Sequence, residues 1–128
     1  MQFPADVIYT KEHEWLRVDG DTVTVGVTDF AQDALGDVVY VDLPGVGDAV
    51  AAGDTIAEIE SVKAVSDVFS PVTGEIVAVN EDLDGSEESV NEAPYGAGWL
   101  FRIKLSDASE LEGMMDVAAY QAFVAEQD

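Results

Sequence analysis

The stretch that could do chemistry is Glu60-Ser61-Val62-Lys63-Ala64-Val65-Ser66-Asp67. Two apolar-rich runs, Thr55–Val62 and Ala64–Phe69, meet at Lys63. That arrangement predicts a tight hairpin with one primary amine exposed at its tip. Such an amine is either a solvated turn lysine, as most are, or a side chain that a rigid frame presents for a task of its own. Two features favour the second. Only Lys11, Lys63 and Lys104 are lysines, so the chain does not use lysine for solubility. The flanking strands also form a stiff frame that presents a single side chain.

Other constellations are weaker. Glu12-His13-Glu14 brings three polar side chains together, but consecutive strand residues point to opposite faces and make a poor metal site. His13 has no evident Ser or Cys partner for nucleophilic catalysis. Asn80-Glu81-Asp82-Leu83-Asp84-Gly85 begins like a calcium loop, yet its twelfth position is Asn91 where a bidentate Glu is needed. A polar turn is expected there, and no metal. With no Cys, thiolate sites and disulfides are excluded. Trp15 and Trp99 are expected in the core.

Charge narrows the function further. Five Lys+Arg against 27 Asp+Glu give a net charge of −22, which opposes binding to nucleic acid or to an anionic membrane. Disorder is argued against by an apolar share of 48%. The balance fits a folded protein kept soluble in concentrated salt, where the Debye length falls to about 3 Å at 1 M. The opening Met1-Gln2-Phe3-Pro4-Ala5-Asp6 has neither the basic start nor the apolar run of a signal peptide, so a cytoplasmic location is expected.

The elements that must hold Lys63 are mostly short strands between turn signals, the pattern of a sandwich or small barrel. Strands are expected at 14–18, 22–27, 37–43, 46–52, 55–62, 64–69, 75–79 and 99–105, with loop over 80–98. Thr28 can cap a short helix whose apolar face is Phe30, Ala34 and Leu35 and which Gly36 closes. Ser109-Glu110-Leu111-Glu112 fits a capping box before a last helix with Val117, Tyr120, Phe123 and Val124 on one face. That helix is expected to cover one end of the barrel. A weak internal repeat lays 47–56 on 74–83, with Lys63 between the copies.

Glu60-Ser61-Val62-Lys63-Ala64, with Val68 and then Gly74-Glu75-Ile76 downstream, resembles the lipoyl-attachment motif of swinging-arm carriers. Biotin carriers place Met on both sides of the lysine, where this chain has Val62 and Ala64. His13-Glu14-Trp15, Gly26 to Gln32, Leu35 to Val39, Leu43-Pro44 and Pro94 to Leu100 extend the likeness over nearly the whole chain, to the glycine cleavage H-protein family.

That resemblance implies a mainly β lipoyl-type barrel-sandwich hybrid of two antiparallel sheets, with a short internal helix and a C-terminal helix. It implies one carrier domain over 1–128, a lipoyl hairpin around 55–79 and a helical segment at about 107–126. It also implies a non-catalytic carrier with no catalytic residue of its own. It implies that lipoate is joined to Lys63 as an amide, with Glu60, Ser61, Val62, Ala64 and Gly74 forming the attachment motif. Its dithiolane takes an aminomethyl group as glycine decarboxylase releases CO2, passes it on with aminomethyltransferase, and is reoxidised by dihydrolipoyl dehydrogenase. A lipoyl-attaching enzyme is the fourth partner, and a monomer is expected. By position, Glu14 and Asp67 are the candidates for contact with the loaded arm, although the residue two before Glu14, usually a small hydroxyl in the family, is Glu12 here. The alternatives are a lipoyl relay or H-like paralogue serving other lipoyl domains, or an unmodified β-rich binding module.

Overall fold

The computed structural model describes residues 1–127. The chain runs β1 (Ile8–Tyr9), β2 (Glu14–Asp19), β3 (Thr22–Val27), α1 (Asp29–Leu35), β4 (Val38–Asp42), β5 (Ala49–Val50) and β6 (Thr55–Ser61). It continues through β7 (Val65–Phe69), β8 (Gly74–Val79), α2 (Ser89–Glu92), β9 (Phe101–Leu105) and α3 (Val117–Gln127). Two antiparallel sheets result: six strands ordered β1-β2-β3-β9-β8-β5, and three ordered β4-β6-β7. The fold is therefore mainly β.

Alternation in the strands builds the main core. Val23 and Val25 of β3, Ile59 of β6, Val68 of β7, Ile76 of β8 and Phe101 and Ile103 of β9 are all buried in one cluster fed by both sheets. A second cluster lies at one end, where Tyr9, Trp15, Tyr120, Val7 and Val124 are buried together. Trp15 fits because its partner across the ladder is Gly26; a Cβ there would come within 2.7 Å of the indole. The indole N–H donates to the Pro94 carbonyl at 2.9 Å. Trp99 is only half-buried at the margin of this cluster, with the Arg102 guanidinium 4.2 Å from its ring centroid.

Several expectations need correction. The strand expected over 46–52 shrinks to Ala49–Val50, because Asp48 turns back to accept from the Gly45 N–H. The loop expected over 80–98 holds a 3₁₀ turn at Glu81–Leu83 as well as α2. The capping box does not start the last helix. Asp107 caps a separate 3₁₀ turn over Ala108–Gly113, and Glu110 turns inward to accept from the Thr73 N–H and hydroxyl at 2.7 and 2.9 Å. Helix α3 begins at Val117, with Asp116 accepting from the Ala119 N–H. The hairpin ends at Phe69, and Gly74–Val79 crosses to the larger sheet. The repeat is visible only in part: β5 pairs with β8, but the second halves of the copies differ, one opening β6 and the other forming a 3₁₀ turn.

Candidate functional site: the hairpin tip and the cleft beside α1

Lys63 stands at the tip of the β6–β7 hairpin and is exposed. Ser61 builds the tip. Its hydroxyl oxygen accepts from the Lys63 N–H at 3.3 Å and the Ala64 N–H at 3.1 Å, and its hydroxyl donates to the Ala64 carbonyl at 3.2 Å. Its backbone N–H closes the turn on the same carbonyl at 2.8 Å. The Val62 N–H docks the tip on the Asp37 carbonyl at 3.0 Å. The turn is thus fixed from inside and from beneath, while the lysine amine forms no ion pair among the described residues.

The other motif residues fall into two places. Glu60, Val62 and Ala64 are exposed around the tip, Val62 the most so at 68%. Gly74 does not join them. It is buried on β8, where a Cβ would sit 2.0 Å from the Lys104 carbonyl oxygen. Its requirement here is close backbone approach between β8 and β9.

The lysine stem crosses Gly36, the residue that ends α1 with a positive φ of 79°. A Cβ at that position would lie 3.1 Å from the Lys63 Cε. Beyond it, α1 and β7 form the walls of a cleft of about 290 Å³, with Ala31, Ala34 and Leu35 on one side and Ala64 to Val68 on the other. Glu12, His13 and Glu14 also line it. Glu14 and Asp67, expected to act together, both line this cleft.

Glu14 is not a solvated carboxylate. It is 2% exposed. One oxygen accepts from the Thr10 hydroxyl at 3.1 Å and the other from the Phe69 backbone N–H at 3.0 Å. Burial raises its pKa from 4.5 to about 7, against the pull of those two hydrogen bonds. Asp67, by contrast, is exposed on β7. His13 adopts a left-handed backbone with φ 66°, and burial lowers its pKa. Among the described residues no group of three His, Asp or Glu side chains is placed to hold a metal ion.

Residues 7–127 match the family described as glycine cleavage H-protein. The chain belongs to the glycine cleavage H-protein family. A glycine cleavage system H protein of Idiomarina loihiensis is 56% identical over 124 residues, covering 96% of each chain. One of Escherichia coli O9:H4 is 57% identical over 125 residues, covering 97% of each. A solved glycine cleavage system H protein from Mycobacterium marinum superposes with a TM-score of 0.85 at 36% identity, covering 98% of both chains. H proteins are lipoyl carriers of the glycine cleavage system and not enzymes in themselves. The fold agrees with that of a lipoyl-type barrel-sandwich.

Two residues of the site had not stood out in the sequence. Thr28 was expected only as a helix cap and Tyr120 only as a face of the last helix. The Tyr120 hydroxyl joins Thr28 to His13, lying 2.8 Å from His13 Nδ1 and 2.7 Å from Thr28 Oγ1. Pairings of 107 and 92 residues' separation leave no local signal.

Proposed function

We propose that Lys63 is the lipoyl attachment residue and that the cleft between α1 and β7 shelters the loaded arm. The observation that carries this is the juxtaposition of a free exposed amine on a rigid tip, its stem against Gly36, with a cleft lined by Leu35 and Ala64, the chain neighbours of Gly36 and Lys63. The residues present fit the group. The amine is accessible for amide formation, and the cleft walls from Ala31, Ala34, Leu35 and Val68 are apolar enough for an aliphatic chain. When bound, the lipoyl group supplies the dithiolane that takes up and releases the one-carbon cargo.

The chain's own residues then do three things. Ser61 and the Val62–Asp37 contact orient the tip, so the arm leaves from a fixed point. The walls exclude water from a labile cargo. Glu14 and Asp67 offer negative charge where the amino end of the cargo would rest. A cation brought beside Glu14 favours its ionised form, so holding the cargo and ionising Glu14 are linked.

The proposed partners are glycine decarboxylase, aminomethyltransferase, dihydrolipoyl dehydrogenase and a lipoyl-attaching enzyme, met in turn by a single monomeric carrier domain. Tethering raises the effective concentration of the cargo at each of them. The proposed location is the cytoplasm of a salt-adapted cell. A net charge of −22 supports this, as does the fact that Arg17–Asp6 is the one ion pair among the described residues. Among the described residues no helix is long and apolar enough to cross a membrane. The test is glycine–CO2 exchange with the decarboxylase. The lipoylated chain should support it and Lys63→Arg should not. Full exchange with the variant would refute the assignment, and no exchange with the wild type would favour a lipoyl relay.

A further inference from the structure

The cleft that His13 and Glu14 line is braced by a part of the chain that no motif points to. Tyr120 projects from α3 into the second core cluster and is fully buried. Its ring stacks on Tyr9, with centroids 4.3 Å apart and planes 2° from parallel. Its hydroxyl meets two groups at once, His13 Nδ1 and Thr28 Oγ1. Thr28 in turn accepts from the Ala31 N–H at 3.2 Å and so caps α1, one wall of the cleft. His13 lines the same cleft and packs its ring on Phe30 and Phe123.

Burial fixes the direction of this chain of hydrogen bonds. Thr28 is 0% exposed, so its hydroxyl proton needs an acceptor inside the protein. Tyr120 oxygen is the acceptor within reach. Tyr120 must then give its own proton to His13 Nδ1, which has to be bare. Every proton is placed if the sequence runs Ala31 N–H to Thr28, Thr28 to Tyr120, Tyr120 to His13. The assignment of His13 as the neutral tautomer with its proton on Nε2 comes from this network. The opposite direction leaves the buried Thr28 proton with no acceptor.

The backbone adds a second, independent observation. His13 is the one non-glycine residue with positive φ among those described. Such a conformation persists where the surroundings enforce it. Here they do: His13 N–H donates to the Thr10 carbonyl and its own carbonyl accepts from the Thr28 N–H, at 3.1 and 3.0 Å.

We propose that Tyr120 is a positioning residue for the cleft: its one hydroxyl fixes the His13 imidazole and the Thr28 cap together, so that helix α3 sets the wall against which the arm is sheltered. The helix is then part of the carrier's working site and more than a cover for the barrel end. The inference rests on the sheltering role proposed above for its consequence, and on the hydrogen-bond chain alone for its geometry.

The test compares the wild-type chain with Tyr120→Phe and Tyr9→Phe. Tyr9→Phe is the control, since its hydroxyl donates to the Pro4 carbonyl on the same aromatic stack and touches neither His13 nor Thr28. In the unlipoylated chain, imidazole nitrogen shifts should show the Nε2–H tautomer for wild type and Tyr9→Phe, and a mixture for Tyr120→Phe. Exchange of the Ala31 amide should rise about tenfold in Tyr120→Phe alone. In the lipoylated and loaded chain, decay of the cargo should be several-fold faster in Tyr120→Phe than in Tyr9→Phe. An Nδ1–H tautomer in the wild type overturns the inference without any variant. So does a Tyr120→Phe chain that matches Tyr9→Phe in tautomer and exchange. If the wild-type cargo decays as fast folded as in urea, the sheltering role fails, while tautomer and exchange still judge the positioning role.

Discussion

Replacing Glu14 by Gln should stabilise the protein at high pH and leave it unchanged at low pH. Glu14 is 2% exposed and its pKa is raised from 4.5 to about 7 by burial. A group whose folded pKa is raised favours folding below its unfolded pKa, and that benefit is lost as pH rises through the folded value. Between pH 4.5 and 7 the fold therefore has to bear an increasing cost for ionising Glu14. At pH 8 that cost is about 3 kcal/mol relative to the protonated form. Gln keeps the geometry. Its amide oxygen can accept from Phe69 N–H, and its amide N–H can donate to Thr10 Oγ1, which lies 3.1 Å from the Glu14 carboxylate. Urea unfolding of both chains at pH 4.5 and pH 8, at one fixed salt concentration, reads the difference directly. The general repulsion of an acidic surface is common to both and cancels. Glu14→Gln should match wild type within error at the lower pH and exceed it by about 3 kcal/mol at the higher. A difference that does not change with pH would refute the reasoning. The stabilised variant should at the same time release its cargo faster, because the buried charge that costs stability is the one offered to the cationic cargo.

Ser61→Ala removes the acceptor shared by the Lys63 and Ala64 N–H groups, so the tip should loosen at a cost of about 1 kcal/mol, seen as a lower Tm and as slower lipoylation by the attaching enzyme. Unchanged lipoylation kinetics would show that a fixed tip is not needed. Gly74→Ala forces a Cβ against the Lys104 backbone oxygen at 2.0 Å and should lose about 3 kcal/mol in urea unfolding. Under conditions where that variant is folded it should still be lipoylated, which separates packing at β8 from recognition at the hairpin. Asp67→Asn should shorten the lifetime of the loaded cargo with no change in Tm, since Asp67 lines the cleft but is exposed. An unaltered lifetime would remove Asp67 from the site.

Much of the scaffold was legible because its signals are local. The alternation of Thr22–Val27 marks β3, and Thr28 and Gly36 bracket α1 with a cap and a positive-φ stop. The hairpin follows from two apolar runs and a single basic residue between them. What the sequence concealed is long-range. Ser109-x-x-Glu112 has the form of a capping box, yet Glu110 turns inward to Thr73 and Asp116 takes over as the cap. Glu14 is one of 27 acidic residues, and nothing in the local pattern shows that the Phe69 N–H and the Thr10 hydroxyl will draw it into a buried position. The same holds for Tyr120, whose position on an amphipathic face explains its burial but not its reach to His13.

The central claim is that the Lys63 amine carries an amide-linked acyl group, and tryptic mapping of natively purified protein tests it most directly. Trypsin cuts after a free lysine and not after an acylated one. The account predicts an uncut peptide spanning 18–102 that bears the mass of one lipoyl group. Complete cleavage into 18–63 and 64–102, from cells competent to lipoylate other proteins, would contradict it.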